Sequence, residues 1–354
     1  MPFVTGAANS LPDIVTALRN ACTSNGWTLA GEVLHKDGCY VRIRAIAKTD
    51  GGAHPDFGLI EIQPGTGIDG SNNLTGTPQQ YSTNWPACGV IGPMGTGTST
   101  SSYVDWDWPV NYFIHILTDP DEVFLMVNYG SSQYWQGLSF GQSPAPGCPG
   151  TGNWSYASCP RAAIDAGSGG RIHGNSRVVV NPGGSELSTW SGGVVPGAVP
   201  FWGRTMDQSG AVPNPGLFHG VWANDGVTTG WSHPRYYWNS SANPGVAMNV
   251  VSAALPAQPL PQYSPNTWNN EAHLVRLQIL SPRLEWKSSI VGEIKHARFI
   301  RNDFLNDGEV IDIGGEKWKV YPAYRKNVSV RNGAGQAGGD HSGTQALAIR
   351  YDGV

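Results

Sequence analysis

The sequence predicts a mainly β protein with a small α component: an N-terminal helix on an antiparallel sheet, a loop-rich β middle and a C-terminal β segment. Three observations lead there. Gly (47) and Pro (26) together make up about a fifth of the 354 residues, which implies many turns, while 14 Trp, 13 Tyr and 9 Phe supply core material. One segment, near the N-terminus, carries helical apolar spacing. Elsewhere short apolar runs are punctuated by Asp-Gly, Gly-Gly and Asp-Pro, the spacing of strands and turns.

The helix is expected over residues 11–25. Ser10 is the N-cap and Asp13 lies three residues on, as in a capping box. Pro12 falls in the first turn, where its missing N–H is harmless. Ile14, Val15, Leu18 and Cys22 share one face, and Asn25-Gly26 is the stop signal. A hairpin follows, with one strand over residues 27–34, a Lys36-Asp37-Gly38 turn and a second strand over 39–45. Alternation in that second strand sets Tyr40, Arg42 and Arg44 on one face and Cys39, Val41 and Ile43 on the other.

Residues 59–62 read as a further strand, and residues 65–76 and 84–105 as loops rich in Gly, Thr and Ser. A meander then spans residues 112–117, 122–129 and 134–141, with Thr118-Asp119-Pro120-Asp121 as its first turn. Residues 1–164 are thus expected to form an α+β domain. Residues 165–265 change character, with long Gly/Pro/Ser/Trp loops and short apolar runs suited to an irregular sandwich or barrel. Pro256 to Pro265 reads as a semi-rigid connector. Residues 266–354 form a C-terminal β region that packs on the first domain or stands apart. Its strands fall near residues 272–280, 291–300, 310–313 and 318–322, with a Gly314-Gly315 turn between the last two.

Charged residues are 14% of the chain and the net charge is −4, so nucleic acid is not expected as a partner. Low charge with many aromatics suits a subunit that hides its surface against other chains, and equally a secreted β protein with polar, uncharged faces. The five cysteines have no CxxC spacing, so no zinc site is expected. Cys148 and Cys159 flank a Gly/Trp-rich loop and read either as a bridge or as free buried thiols. Residues 1–6 lack the basic and apolar regions of a signal peptide, and no apolar run is long enough to span a bilayer. Synthesis and assembly in a cytoplasm, with no membrane partner, is the expectation.

Each candidate for chemistry has a plainer reading. Asp105-Trp106-Asp107-Trp108 pairs two acids with two indoles, as glycoside hydrolysis or sugar stacking would use, but the cross-cleft carboxylate is missing. Asp119-Pro120-Asp121-Glu122 offers oxygens for calcium without the spaced ligands of an EF-hand, so a turn is expected. The nine histidines stand singly, and His115, mid-strand, reads as a core or interface residue. Gly339-Asp340-His341-Ser342-Gly343 lacks the Gly-x-Ser-x-Gly frame and reads as a turn. Gly65-Thr66-Gly67-Ile68-Asp69-Gly70 has no following helix to receive a dinucleotide. No catalytic, cofactor or metal site is therefore expected. The aromatic cluster Trp222, Trp231, Tyr236, Tyr237 and Trp238 is the one candidate platform, suited to stacking on sugar rings or on a neighbouring subunit.

Three stretches together resemble structural proteins of tailed-bacteriophage virions. The first is the opening helix with Asn25-Gly26-Trp27 and the run from Val33 to Ile43. The second joins Gly65 to Gly70 with Tyr112 to Ile116, Glu122-Val123-Phe124, Asn128-Tyr129, Gln133-Tyr134-Trp135-Gln136 and Phe140-Gly141. The third is Trp318-Lys319-Val320-Tyr321-Pro322, Arg325-Lys326 and the closing Ala348-Ile349-Arg350-Tyr351-Asp352. They cover about half the chain and leave residues 165–265 outside. The resemblance implies a non-enzymatic tail-tip or baseplate subunit, built into a virion tail as a cyclic ring or spike of its own copies beside other tail proteins. It carries over no functional residue. The alternative is a carbohydrate-binding or host-receptor protein using the Trp/Tyr platform.

Overall fold

The computed structural model describes residues 2–46, 59–75, 88–92, 106–142, 150–157, 159–161, 201–203, 217–218, 273–283, 287–322, 325–329 and 344–353. Strand β1 (Phe3–Ala8) leads into helix α1 (Leu11–Thr23). The helix begins where the capping chemistry places it: the Asp13 N–H donates to Ser10 Oγ at 3.3 Å. The Asp13 carboxylate reaches back to the Asn9 N–H at 3.1 Å, one residue earlier than in the usual reciprocal box. Its buried face is Leu11, Ile14, Val15, Leu18, Ala21 and Cys22.

Next come β2 (Thr28–Ala30), β3 (Val33–Lys36), β4 (Cys39–Ile46), β5 (Leu59–Gly65), β6 (Gly67–Ile68), β7 (Leu74–Thr75) and β8 (Cys88–Ile91). The single strand expected over residues 27–34 is instead two. Gly31, with φ of +60°, reverses the chain so that β2 and β3 pair as a hairpin. The meander follows as β9 (Val110–Leu117), β10 (Glu122–Tyr129) and β11 (Tyr134–Gln142), joined in antiparallel register as expected. Strands β12 (Gly150–Ala157), β13 (Cys159–Arg161), β14 (Phe201–Gly203) and β15 (Leu217–Phe218) come after it. The C-terminal region contributes β16 (Val275–Arg283), β17 (Lys287–Arg301), β18 (Val310–Ile313), β19 (Glu316–Pro322) and β20 (Gln345–Arg350).

These strands form three six-stranded antiparallel sheets and a two-stranded ribbon of β6 and β7. The central sheet has the order β1-β9-β10-β11-β12-β14. The helix-side sheet is β13-β8-β5-β4-β3-β2, and the C-terminal sheet is β15-β16-β17-β20-β19-β18. The fold class is therefore mainly β with one N-terminal helix.

Alternation along the central strands decides how the sheets stack. Val110, Ile114, Ile116, Val123, Leu125, Val127, Leu138 and Phe140 point to one face, where they meet α1 and Leu34, Val41, Ile43, Ile60 and Ile62 of the helix-side sheet. Leu117, Phe124, Met126, Trp135 and Trp154 point to the other, against Leu277, Ile294, Ala297, Tyr321 and Ile349 of the C-terminal sheet. The central sheet is thus the middle of three layers, and all of β10 is buried. A strand covered on both faces carries apolar residues at both parities, as Val123-Phe124-Leu125-Met126-Val127 does.

Candidate functional site

The aromatic platform Trp222, Trp231, Tyr236, Tyr237 and Trp238 lies outside the described residues, as do Asp105, His341 and Cys148. Among the described residues, the polar chemistry converges instead on the turn between β9 and β10. Asp119, with φ of +58°, opens this turn, and both neighbouring sheets reach it. From the helix-side sheet, the Lys36 ammonium meets Asp121 Oδ1 at 2.7 Å, and Gln142 Nε2 of β11 donates to the Asp37 carbonyl at 2.7 Å. From the C-terminal sheet, Lys295 Nζ donates to the Asp119 carbonyl at 2.6 Å. The turn expected from Asp119-Pro120-Asp121-Glu122 is present, and the carboxylates of Asp121 and Glu122 are engaged by protein partners.

Glu122 is the centre of this clasp. Its side chain is fully buried and accepts three N–H bonds from one strand: Lys295 N to Oε1 at 2.8 Å, His296 N to Oε2 at 2.8 Å and His296 Nδ1 to Oε2 at 3.0 Å. The donors are available because β17 is bulged there. Arg276 pairs with Arg298 but Leu277 pairs with Ile294, which leaves residues 295–297 without partners on β16. Two consecutive amides released by a bulge form a small anion nest, and a carboxylate from another sheet fills it. Burial pushes the Glu122 carboxyl up from its ordinary value, and the His296 ring and the amides act against that push.

Space at the clasp is set by Gly141, which pairs with Glu122 across β10 and β11. A Cβ at this position would lie 2.5 Å from the Asp121 carbonyl oxygen and 3.0 Å from Glu122 Cα. Only a glycine lets β11 approach the turn this closely, and the Gln142 N–H then bonds the Asp121 carbonyl at 3.0 Å.

A second polar contact crosses the same layer. His115, on β9, is buried, and its Nε2 lies 2.8 Å from the Tyr321 hydroxyl on β19. Burial pulls its pKa down to about 3; the nearby Lys319 charge adds to this and a bond to the Arg350 backbone opposes it. The ring is a neutral imidazole in water near neutrality, which leaves it fit to hydrogen-bond and unfit to carry charge. Tyr321 packs 5.3 Å from Trp135 and 5.8 Å from Phe113, between centroids. Lys319 Nζ stands 5.4 to 5.9 Å from the Phe3, Phe113 and Tyr351 rings and donates to the Gly308 carbonyl at 2.8 Å.

The other sequence candidates fall apart from this clasp. On the helix-side sheet Arg44 Nε meets Glu61 Oε1 at 3.0 Å, Arg42 hydrogen-bonds Gln63, and His35 stacks on Tyr40. Asp69 folds its own loop by accepting from the Ser71 and Asn73 amides, each at 2.8 Å. Cys22 and Cys39 are free, buried thiols whose pKa burial pushes up, so they are inert as nucleophiles. Among the described residues no group of three or more His, Cys, Asp or Glu is placed to hold a metal ion. No described helix is long and apolar enough to cross a membrane.

The sequence brought Glu122 forward only as the end of the Asp119-Pro120-Asp121-Glu122 turn and His296 only as one of nine single histidines; Lys295 and Gly141 were given no role at the site. The pairing of Glu122 with His296 spans 174 residues and depends on a bulge, so no local spacing announces it. A Glu opening a strand that is otherwise apolar on both faces was the available sign. No family model and no curated protein matches the chain.

Proposed function

We propose that the chain is a non-enzymatic structural subunit of a tailed-phage virion, sited in the tail tip or baseplate. It assembles in the host cytoplasm through interfaces with its own copies, in a ring or spike, and with other tail proteins. The virion part of this reading rests on the resemblance carried by the N-terminal, meander and C-terminal motifs.

One observation supports the assembly part. Of the six large hydrophobic residues that stay exposed among the described residues, Phe304, Val310, Ile313 and Val328 fall within residues 304–328. Val310 and Ile313 belong to β18, the edge of the C-terminal sheet. Gly314 (φ +64°) and Gly315 (φ +83°) give its hairpin a tight turn of the I′ type, so the edge is short and well formed. An edge strand left free in water is ordinarily blunted with charge, and apolar side chains there suit a partner instead. A second copy of this chain is the partner that ring or spike assembly requires.

Light scattering on the purified full chain after size exclusion tests this. The expected outcome is a multimer, with Ile313→Lys giving a monomer whose thermal unfolding is unchanged. A wild-type chain that stays monomeric and inert toward other tail proteins would sink the reading.

A further inference from the structure

We infer that β1 is a second self-association edge: it pairs antiparallel with the β1 of another copy about a two-fold axis at Thr5, so that two central sheets run on as one. Strand β1 closes one side of the central sheet, with β9 as its single neighbour. The Ile116 N–H donates to the Pro2 carbonyl at 3.1 Å, and Phe3 stands opposite His115. Backbone groups alternate sides along a strand, so Val4, Gly6 and Ala8 turn theirs to β9 while Phe3, Thr5 and Ala7 turn theirs outward. Among the described residues nothing takes these outward groups, and Thr5 and Ala7 are exposed.

This edge is unguarded. Phe3-Val4-Thr5-Gly6-Ala7-Ala8 carries no charge and no proline, and its register on β9 runs from end to end without a bulge. A free edge is ordinarily blunted by one of these, as Asp312 does on β18. Gly6 has no room for a side chain, since a Cβ there would lie 2.5 Å from Tyr112 Oη. The Tyr112 ring lies over it and keeps that face of the edge flat.

The strand is its own complement. Outward groups meet outward groups only when Phe3, Thr5 and Ala7 pair among themselves, and only the register centred on Thr5 uses all three. It sets Phe3 opposite Ala7 of the second copy, Thr5 opposite Thr5 and Ala7 opposite Phe3, with two backbone bonds in each pair. On the other face Val4 stands opposite Gly6. Each large side chain thus meets a small one, threonine meets threonine, and no like charges face each other. Sliding the register by two residues would carry Ala7 or Phe3 past the end of the other strand.

This deepens the assembly reading above and rests on it. The β18 contact gathers copies into a ring, and the two-fold joint at β1 sets one ring against another, because an isologous contact relates its copies head to head. The joint is small and holds by being repeated around the ring. A chain that Ile313→Lys has freed from the ring therefore stays monomeric.

Thr5→Lys in the full chain tests the joint. Two lysines directly opposite repel, so light scattering should give half the wild-type mass, with an unchanged thermal midpoint because Thr5 is exposed. Should that variant not fold, a cross-link decides. Thr5→Cys, oxidised as the multimer, should give a reducible dimer above the wild-type background, since facing Cα atoms in such a pair lie about 5.5 Å apart. Ala7→Cys should give none, because its counterpart lies four residues along the strand, about 13 Å away. A multimer whose mass Thr5→Lys leaves unchanged overturns the inference and leaves the ring standing. So does one that fails to cross-link through Thr5→Cys, or that cross-links through Ala7→Cys instead. A monomeric wild type overturns both.

Discussion

The two faces of the central sheet are joined to their neighbours by different chemistry. Toward α1 and the helix-side sheet the contact is largely aliphatic, Ile, Leu and Val from both layers with residual exposure close to zero. Toward the C-terminal sheet it is aromatic, and polar groups are set into it: Glu122 in its nest, His115 on Tyr321 and Lys319 among three rings. Aliphatic burial is non-directional and tolerates small slides between layers. A carboxylate with three fixed donors does not. The first joint is thus mainly apolar, with the buried Gln136 side chain bonded both ways to the Gly92 backbone as its polar tie, and the second carries the buried carboxylate and the aromatic contacts.

Glu122→Ala gives the largest expected effect on this contrast. It leaves the buried His296 amide and imidazole and the half-buried Lys295 amide without their acceptor and should cost about 3–5 kcal/mol, as removing one partner of a buried polar cluster does. Urea unfolding measures it, with hydrogen exchange showing β17 and β20 losing protection before β10. A loss below about 1 kcal/mol would mean that the nest is not a fastener.

His115 gives an effect of intermediate size that depends on pH. The unfolded ring takes up a proton near its ordinary value of 6.5, whereas the folded ring resists until about 3. Its contribution is therefore complete above pH 6.5 and lost as pH falls through that window, by about 1.4 kcal/mol per pH unit. The raised Glu122 has the opposite sign, since an acid whose folded pKa is raised loses stability as pH rises through it. Comparing the wild type with His115→Gln isolates the histidine. The variant's stability should fall less steeply between pH 6 and 4, and parallel curves would refute the account.

Lys36→Met should have the smallest effect, about 1 kcal/mol or less, because both partners of its ion pair with Asp121 keep some contact with water. Added salt should shrink the difference further. A loss comparable to that of Glu122→Ala would erase the distinction between the two joints.

Much of the local fold is legible in the sequence because its causes are local. Ser10, Pro12 and Asp13 mark the helix start, and Asp119-Pro120 and Gly314-Gly315 mark hairpins, each through backbone chemistry confined to a few residues. Strands β1 and β12 escaped that reading. Phe3-Val4-Thr5-Gly6-Ala7-Ala8 and Gly150-Thr151-Gly152-Asn153-Trp154 are too rich in small residues to show apolar alternation, and pairing with β9 and β11 makes them strands. Gly31 split a run that looked continuous because a left-handed glycine is indistinguishable by composition from one within a strand. Of the clasp only the turn at Asp119-Pro120-Asp121-Glu122 was legible. Its donors come from a bulge, its acceptor from another sheet, and its clearance from Gly141 on a third strand.

The bulge in β17 also bears on the order in which the chain is made. The carboxylate that satisfies it leaves the ribosome some 170 residues before the amides do. The central sheet can be complete while the C-terminal strands are still being synthesised, since domains fold as they emerge. The late strands then meet a finished surface with its counter-charge already in position, and the last layer is added onto a template.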